Sequence, residues 1–90
     1  MYLAKVTGAL VSTTKHASLN GAKLLIVARL DERYQPTGTA QVAVDFVGAG
    51  NGEIVIVTTG SSARMSNSKE HSVIDASIVG IVDSVDLSDQ

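Results

Sequence analysis

The stretch Val47–Glu53, "VGAGNGE", joins two apolar runs near the middle of the chain and sets Gly48, Gly50 and Gly52 at alternate positions. Such spacing suits a phosphate cradle, a tight turn, or a close approach of backbones. A dinucleotide fingerprint needs a strand, then G-x-G-x-x-G, then a helix whose N-terminal amides hold the pyrophosphate. Here Gly52 comes too early, and the run that follows, Glu53–Thr58 (EIVIVT), has the β-branched pattern of a strand. The phosphate reading fails for want of a helix. Asn51-Gly52 between apolar runs is instead a hairpin signal, because both residue types tolerate positive φ. Gly48-Ala49-Gly50 exceeds what a minimal hairpin needs, so another backbone or a neighbouring subunit is expected close by.

Working outward, Ala40–Val47 (AQVAVDFV) precedes the glycine stretch and reads as a strand. Lys23–Leu30 (KLLIVARL) is almost continuously apolar, the pattern of a strand covered on both faces. Between them, Asp31–Gly38 (DERYQPTG) is polar, holds the only proline, and reads as an exposed loop. Tyr2–Thr14 is a long strand with Gly8 at a bulge or bend, and Lys15–Gly21 has turn chemistry. After the fourth strand, Gly60–Asn67 reads as one short helical turn capped by Ser61 or Ser62, and 66–72 as an exposed loop. Val73–Val85 returns to strand pattern, interrupted by Gly80, and 86–90 is a polar tail. The 90 residues form a single domain. Five strands with short turns predict an all-β domain, a small OB-like barrel with one short helical turn, the alternative being a small sandwich.

Composition bounds the function. A domain of this size buries only about 60–65% of its unfolded surface. Its aromatics are Tyr2, Tyr34 and Phe46, and it has no cysteine, so no disulfide staples the core. Oligomerisation is the remaining common device. No leader pattern opens the chain, and the apolar run Leu24–Ala28 is far too short to cross a bilayer. A soluble, cytoplasmic protein is expected. The net charge is −2 with acids and bases scattered singly, which argues against nucleic acid or anionic membrane as partner.

Chemistry-bearing residues are sparse. Ser61 and Ser62 lack the G-x-S-x-G elbow, because Arg64 stands where the second glycine belongs. A hydrolase built on Ser62 and a histidine is therefore set below a capping role for these serines. His16 and His71 sit in polar stretches without cysteine or paired acids, so no metal site is expected. Asp45, Glu53, Asp75 and Asp83 are spread over three strands, and an ion pair with Arg29 or Arg64 outweighs acid–base work. An OB-like nucleic-acid face needs basic and aromatic side chains, and only Lys23, Arg29 and Phe46 offer themselves. A binding module for single strands or a small ligand is the alternative function. No catalytic residue, cofactor or metal is expected.

Four pieces taken together carry a resemblance: T-K-x3-L-x-G-x-K-L-L (Thr14–Leu25), V-A-V-D-x-V-G-A-G-x-G-E (Val42–Glu53), G-S-S-A-R (Gly60–Arg64) and V-x-D-A-x-I-V-G-I-V-D (Val73–Asp83). In register over nearly the whole chain, they resemble the ethanolamine-utilisation and carboxysome vertex proteins of bacterial microcompartment shells. Ser77, where a second alanine is usual, and the loop DERYQPTG depart from the pattern. The resemblance implies an OB-like barrel that forms a cyclic pentamer, with a hexamer as the other ring in vitro. It further implies that the pentamer caps the five-fold corners of a shell tiled by hexameric proteins. In that setting Gly48, Ala49, Gly50, Asn51 and Gly52 are expected around the five-fold opening. Ser61, Ser62, Ala63 and Arg64 are expected at a subunit contact, where a planar guanidinium can bond neighbouring carbonyls or carboxylates.

Overall fold

The computed structural model describes residues 1–12, 16–19, 21–60 and 75–86. Five strands, β1 (Tyr2–Leu10), β2 (Lys23–Leu30), β3 (Pro36–Asp45), β4 (Ile54–Thr59) and β5 (Ala76–Val82), close into a barrel in the order β1-β2-β3-β5-β4. β3 and β5 run parallel, and every other neighbouring pair is antiparallel. This is the five-stranded OB-like barrel that the strand count suggested.

Closing so few strands requires sharp local twist, and bulges supply it. One lies in β1 between Val6 and Gly8. Another lies where Ile56 pairs with Gly80 and Val57 with Ile78, so that Val79 is the extra residue on β5. Gly8 and Gly80 thus sit beside the bends, as their positions in the sequence suggested. At Gly80 a side chain would also meet Ile56 Cδ1 at 3.1 Å, so Ile56 would have to shift to admit a larger residue.

The interior is filled by Ala4, Val6, Leu25, Val27, Ala43, Ala49, Val55, Val57, Ala76 and Ile78, with Tyr2 and Ile81 packed against its ends. No aromatic residue belongs to this buried set, and four of its members are alanine, so among the described residues the core is thin for a lone domain. β2 is covered on both faces: Leu25 and Val27 point inward, while Leu24 packs outside with Val44 beneath Leu19 and Ala22. Leu19 ends a single 3-10 turn, Ala17–Leu19, within the segment read as a turn.

Three expectations are corrected. The loop Asp31–Gly38 is shorter than anticipated, because β3 starts at Pro36, which pairs with Leu30. Proline is tolerated there as the first residue of a strand. The turn between is held by the Asp31 carboxylate, whose Oδ1 accepts from the amides of Arg33 (2.8 Å) and Gln35 (3.1 Å). Second, β1 ends at Leu10 rather than at Thr14; residues 13–15 lie outside the described set, as do the expected helical turn in 61–67, the loop through residue 72, and 87–90. Third, β3 and β4 are not a hairpin. β4 pairs with β1 and β5 instead, so VGAGNGE is a crossover that carries the chain across one end of the barrel.

Candidate functional site: the glycine crossover and its clamp

The crossover is built from a buried carboxylate outward. The β2–β3 register sets Lys23 opposite Asp45, the last residue of β3. The Asp45 side chain is 1% exposed, and its Oδ1 and Oδ2 accept from the amides of Val47 (3.0 Å) and Ala49 (2.9 Å). Lys23 Nζ donates to the Ala49 carbonyl at 3.1 Å and lies 3.6 Å from Asp45 Oδ2. One acid and one lysine thereby fix the path of residues 45–49. A short polar side chain that bonds backbone amides two and four residues on is the usual way to stiffen such a turn.

Gly48, Ala49 and Gly52 each have a reason within their own chain. Gly48 has φ 77°, a left-handed conformation that L side chains adopt at a cost. Ala49 is buried and belongs to the core, so its methyl group plugs the end of the barrel. Gly50 and Glu53 close a turn: the Glu53 amide donates to the Gly50 carbonyl at 3.2 Å, and Glu53 Oε1 accepts from the Gly50 amide at 2.6 Å. Gly52, at φ 88°, takes the third position, where a type II turn needs positive φ. The Gly52 amide then donates to the Val6 carbonyl and the Val6 amide to the Glu53 carbonyl, stitching the crossover to β1. Gly48, Asn51 and Gly52 are exposed at this end of the barrel. The surplus glycine and alanine are thus accounted for by turn geometry and core filling.

Ser61, Ser62, Ala63, Arg64 and His71 lie outside the described residues, and His16 is exposed. The four carboxylates do not converge. Asp45 is consumed by the clamp and Glu53 by the turn, while Asp75 and Asp83 flank opposite ends of β5. Among the described residues no group of three or more His, Cys, Asp or Glu side chains could hold a metal ion. The cations of the would-be nucleic-acid face are engaged within the chain: Lys23 in the clamp, and Arg29 over the Tyr2 ring, 4.6 Å from its centroid. Arg29 stacks on a ring, and among the described residues it is Lys23 that pairs with one of these carboxylates, Asp45; the other expected partner, Arg64, lies outside them. At that end of the barrel the Tyr2 hydroxyl donates to Gln41 Oε1. Burial raises the Tyr2 pKa above 10.0, the Arg29 charge opposing and that of Asp75 adding to the rise.

Known proteins share this barrel and its sequence. The family model for ethanolamine utilisation protein EutN/carboxysome matches residues 1–83. The bacterial microcompartment shell vertex protein GrpN of Rhodospirillum rubrum is 66% identical over 86 residues, 96% of this chain and 97% of its own length. The corresponding vertex protein PduN of Salmonella typhimurium is 51% identical over 89 residues, covering 94% and 98% of the two chains. Among solved structures, the GrpN pentameric microcompartment shell protein from Rhodospirillum rubrum superposes with a TM-score of 0.90 at 64% identity, covering 98% of this chain and 100% of that one. With a family model spanning most of its length and relatives this similar, the chain belongs to the ethanolamine-utilisation EutN/carboxysome family.

Proposed function

We propose that this chain is a structural, non-catalytic subunit of a bacterial microcompartment shell, assembling as a cyclic pentamer that closes the five-fold vertices. The observation that carries the reading is the match of the whole barrel to a shell protein described as pentameric. Physical logic agrees with it. A flat layer of hexagonal tiles cannot close, so a polyhedral shell needs pentagonal units among its hexameric neighbours. Five small wedge-shaped domains in head-to-tail contact supply one. A thin core of Val, Ile, Leu and Ala gains from the apolar surface such contacts bury.

Within the ring, the crossover Gly48–Gly52 faces the five-fold opening, and Ser61, Ser62, Ala63 and Arg64 lie at a subunit contact. Support for the first placement is that Gly48, Asn51 and Gly52 are exposed on a turn held rigid by Asp45 and Lys23. Gly50→Val tests it. Within one chain the added Cβ would meet only the end of the Glu53 side chain, at 3.2 Å, and that side chain can swing away. A folded barrel with impaired pentamer is expected, and a normal pentamer would remove the loop from the axis. The assembly itself is tested by native mass spectrometry, where five copies of the 9.3 kDa chain give about 46–47 kDa. A hexamer would keep the family reading and refute the corner role.

A further inference from the structure

Asn51-Gly52 has a chemistry of its own that the turn does not use. An asparagine followed by glycine is among the sequences most open to deamidation, because glycine puts no side chain in the way of ring closure. The Gly52 nitrogen gives up its proton and attacks Asn51 Cγ. The new N–C bond displaces the carboxamide nitrogen as ammonia and leaves a five-membered succinimide. Water then opens the ring at either carbonyl, giving aspartate or isoaspartate, so the balance is one water taken up and one ammonia released. Both residues are exposed, so water reaches the pair.

The attacking nitrogen is held elsewhere. Its N–H donates to the Val6 carbonyl at 2.8 Å, and the Val6 amide donates back to the Glu53 carbonyl at 2.9 Å. Glu53 also grips Gly50 through its own amide and its carboxylate, so the turn is tied both to β1 and to itself. An amide that donates to a carbonyl neither loses its proton nor reaches Cγ until that bond opens. We infer that Asn51-Gly52 is a latent deamidation site, latched by the hydrogen bond from Gly52 to Val6. Local opening of the stitch frees the nitrogen, and the reaction then records the opening permanently. Isoaspartate carries the main chain through the side-chain Cβ and Cγ, one atom longer than before, so the modified turn no longer presents Gly52 and Glu53 to Val6 in register. Either product adds a negative charge two residues from Glu53.

The test uses the full wild-type chain at one mildly alkaline pH, folded in buffer and unfolded in guanidinium chloride. Peptide mapping by mass spectrometry follows deamidation at Asn51, and residue-resolved hydrogen exchange follows the Gly52 amide. In the unfolded chain Asn51 should react as readily as Asn20, the other asparagine that precedes a glycine. In the folded chain deamidation at Asn51 should be at least about tenfold slower, since the two backbone bonds of the stitch must open first. The Gly52 amide should be protected from exchange by the same factor, within about threefold, because one opening event exposes the same nitrogen to both reactions. Deamidation as fast in the folded chain as in the unfolded one overturns the latch. So does deamidation slowed far beyond Gly52 exchange, which would put the barrier in the turn's geometry instead of the bond. An Asn51 that stays intact in the unfolded chain while Asn20 reacts overturns the site itself.

Discussion

Replacing Asp45 by alanine strikes the crossover at its anchor. The Ala49 amide, whose residue is 1% exposed, loses its carboxylate acceptor and gains no water, a cost of about 1–3 kcal/mol. The Val47 amide belongs to an exposed residue, so solvent replaces its bond at little cost. Lys23 is 56% exposed at its side chain, so the lost ion pair adds under about 1 kcal/mol after screening. Together these predict about 1–4 kcal/mol of destabilisation. For a domain of this length, each kcal/mol moves the melting temperature by about 4–8 °C, so a drop of at least about 4 °C is expected. Asp45→Asn keeps one acceptor oxygen and should lose roughly half as much, while Lys23→Met should lose less than about 1 kcal/mol. Thermal melts followed by circular dichroism, at one fixed protomer concentration because assembly adds to apparent stability, provide the measurement. If Asp45→Ala melts within about 2 °C of wild type, the buried carboxylate does not anchor the crossover and the reasoning fails.

Three further outcomes follow from the same structure. Gly52→Ala should cost about 1–2 kcal/mol in a denaturant titration, since φ is 88° and nothing crowds an added methyl; Gly50→Ala, where φ is negative, should cost less than half of that. Tyr2→Phe should alter the alkaline limb of the stability curve. The folded Tyr2 pKa is raised by burial, so its contribution is present below pH 10 and is lost as pH rises through the folded value; the stability difference between wild type and Tyr2→Phe should shrink on passing above pH 10 and be flat below it. Gly80→Val should destabilise by about 1–3 kcal/mol, because its Cβ would press on Ile56 within the wall, and an unchanged melting temperature would contradict the close packing there.

The alternating and continuous apolar runs made the five strands legible, since period-two patterning and β-branched content depend on neighbours in sequence. Gly8 and Gly80 were also legible as bends, because glycine inside a strand has few other uses. What the sequence hid is long-range. Asn51-Gly52 reads locally as a hairpin, yet the residues that precede it lengthen the connection enough for β4 to reach β1, and only the Gly52–Val6 and Val6–Glu53 bonds disclose that partner. Gly48-Ala49-Gly50 suggested crowding by a neighbour, whereas Ala49 is crowded by its own core. Lys23 and Asp45 stand at opposite ends of a hairpin's sequence, but counting outward from the Leu30–Pro36 pair sets Lys23 opposite Ala43; the bulge between Ala28 and Leu30, which the sequence does not announce, moves its partner to Asp45. Arg29 reads in sequence as a partner for a carboxylate, because the Tyr2 ring it actually covers comes from another strand. The resemblance of four spaced motifs, rather than any local chemistry, pointed to a shell protein, because a structural role leaves no catalytic cluster in the sequence.

The central claim is that five copies close into one ring. Native mass spectrometry of the full chain across micromolar concentrations tests it most directly. A dominant species near 46–47 kDa, five times the 9.3 kDa chain, is the predicted result. Monomer or dimer alone throughout that range would contradict it.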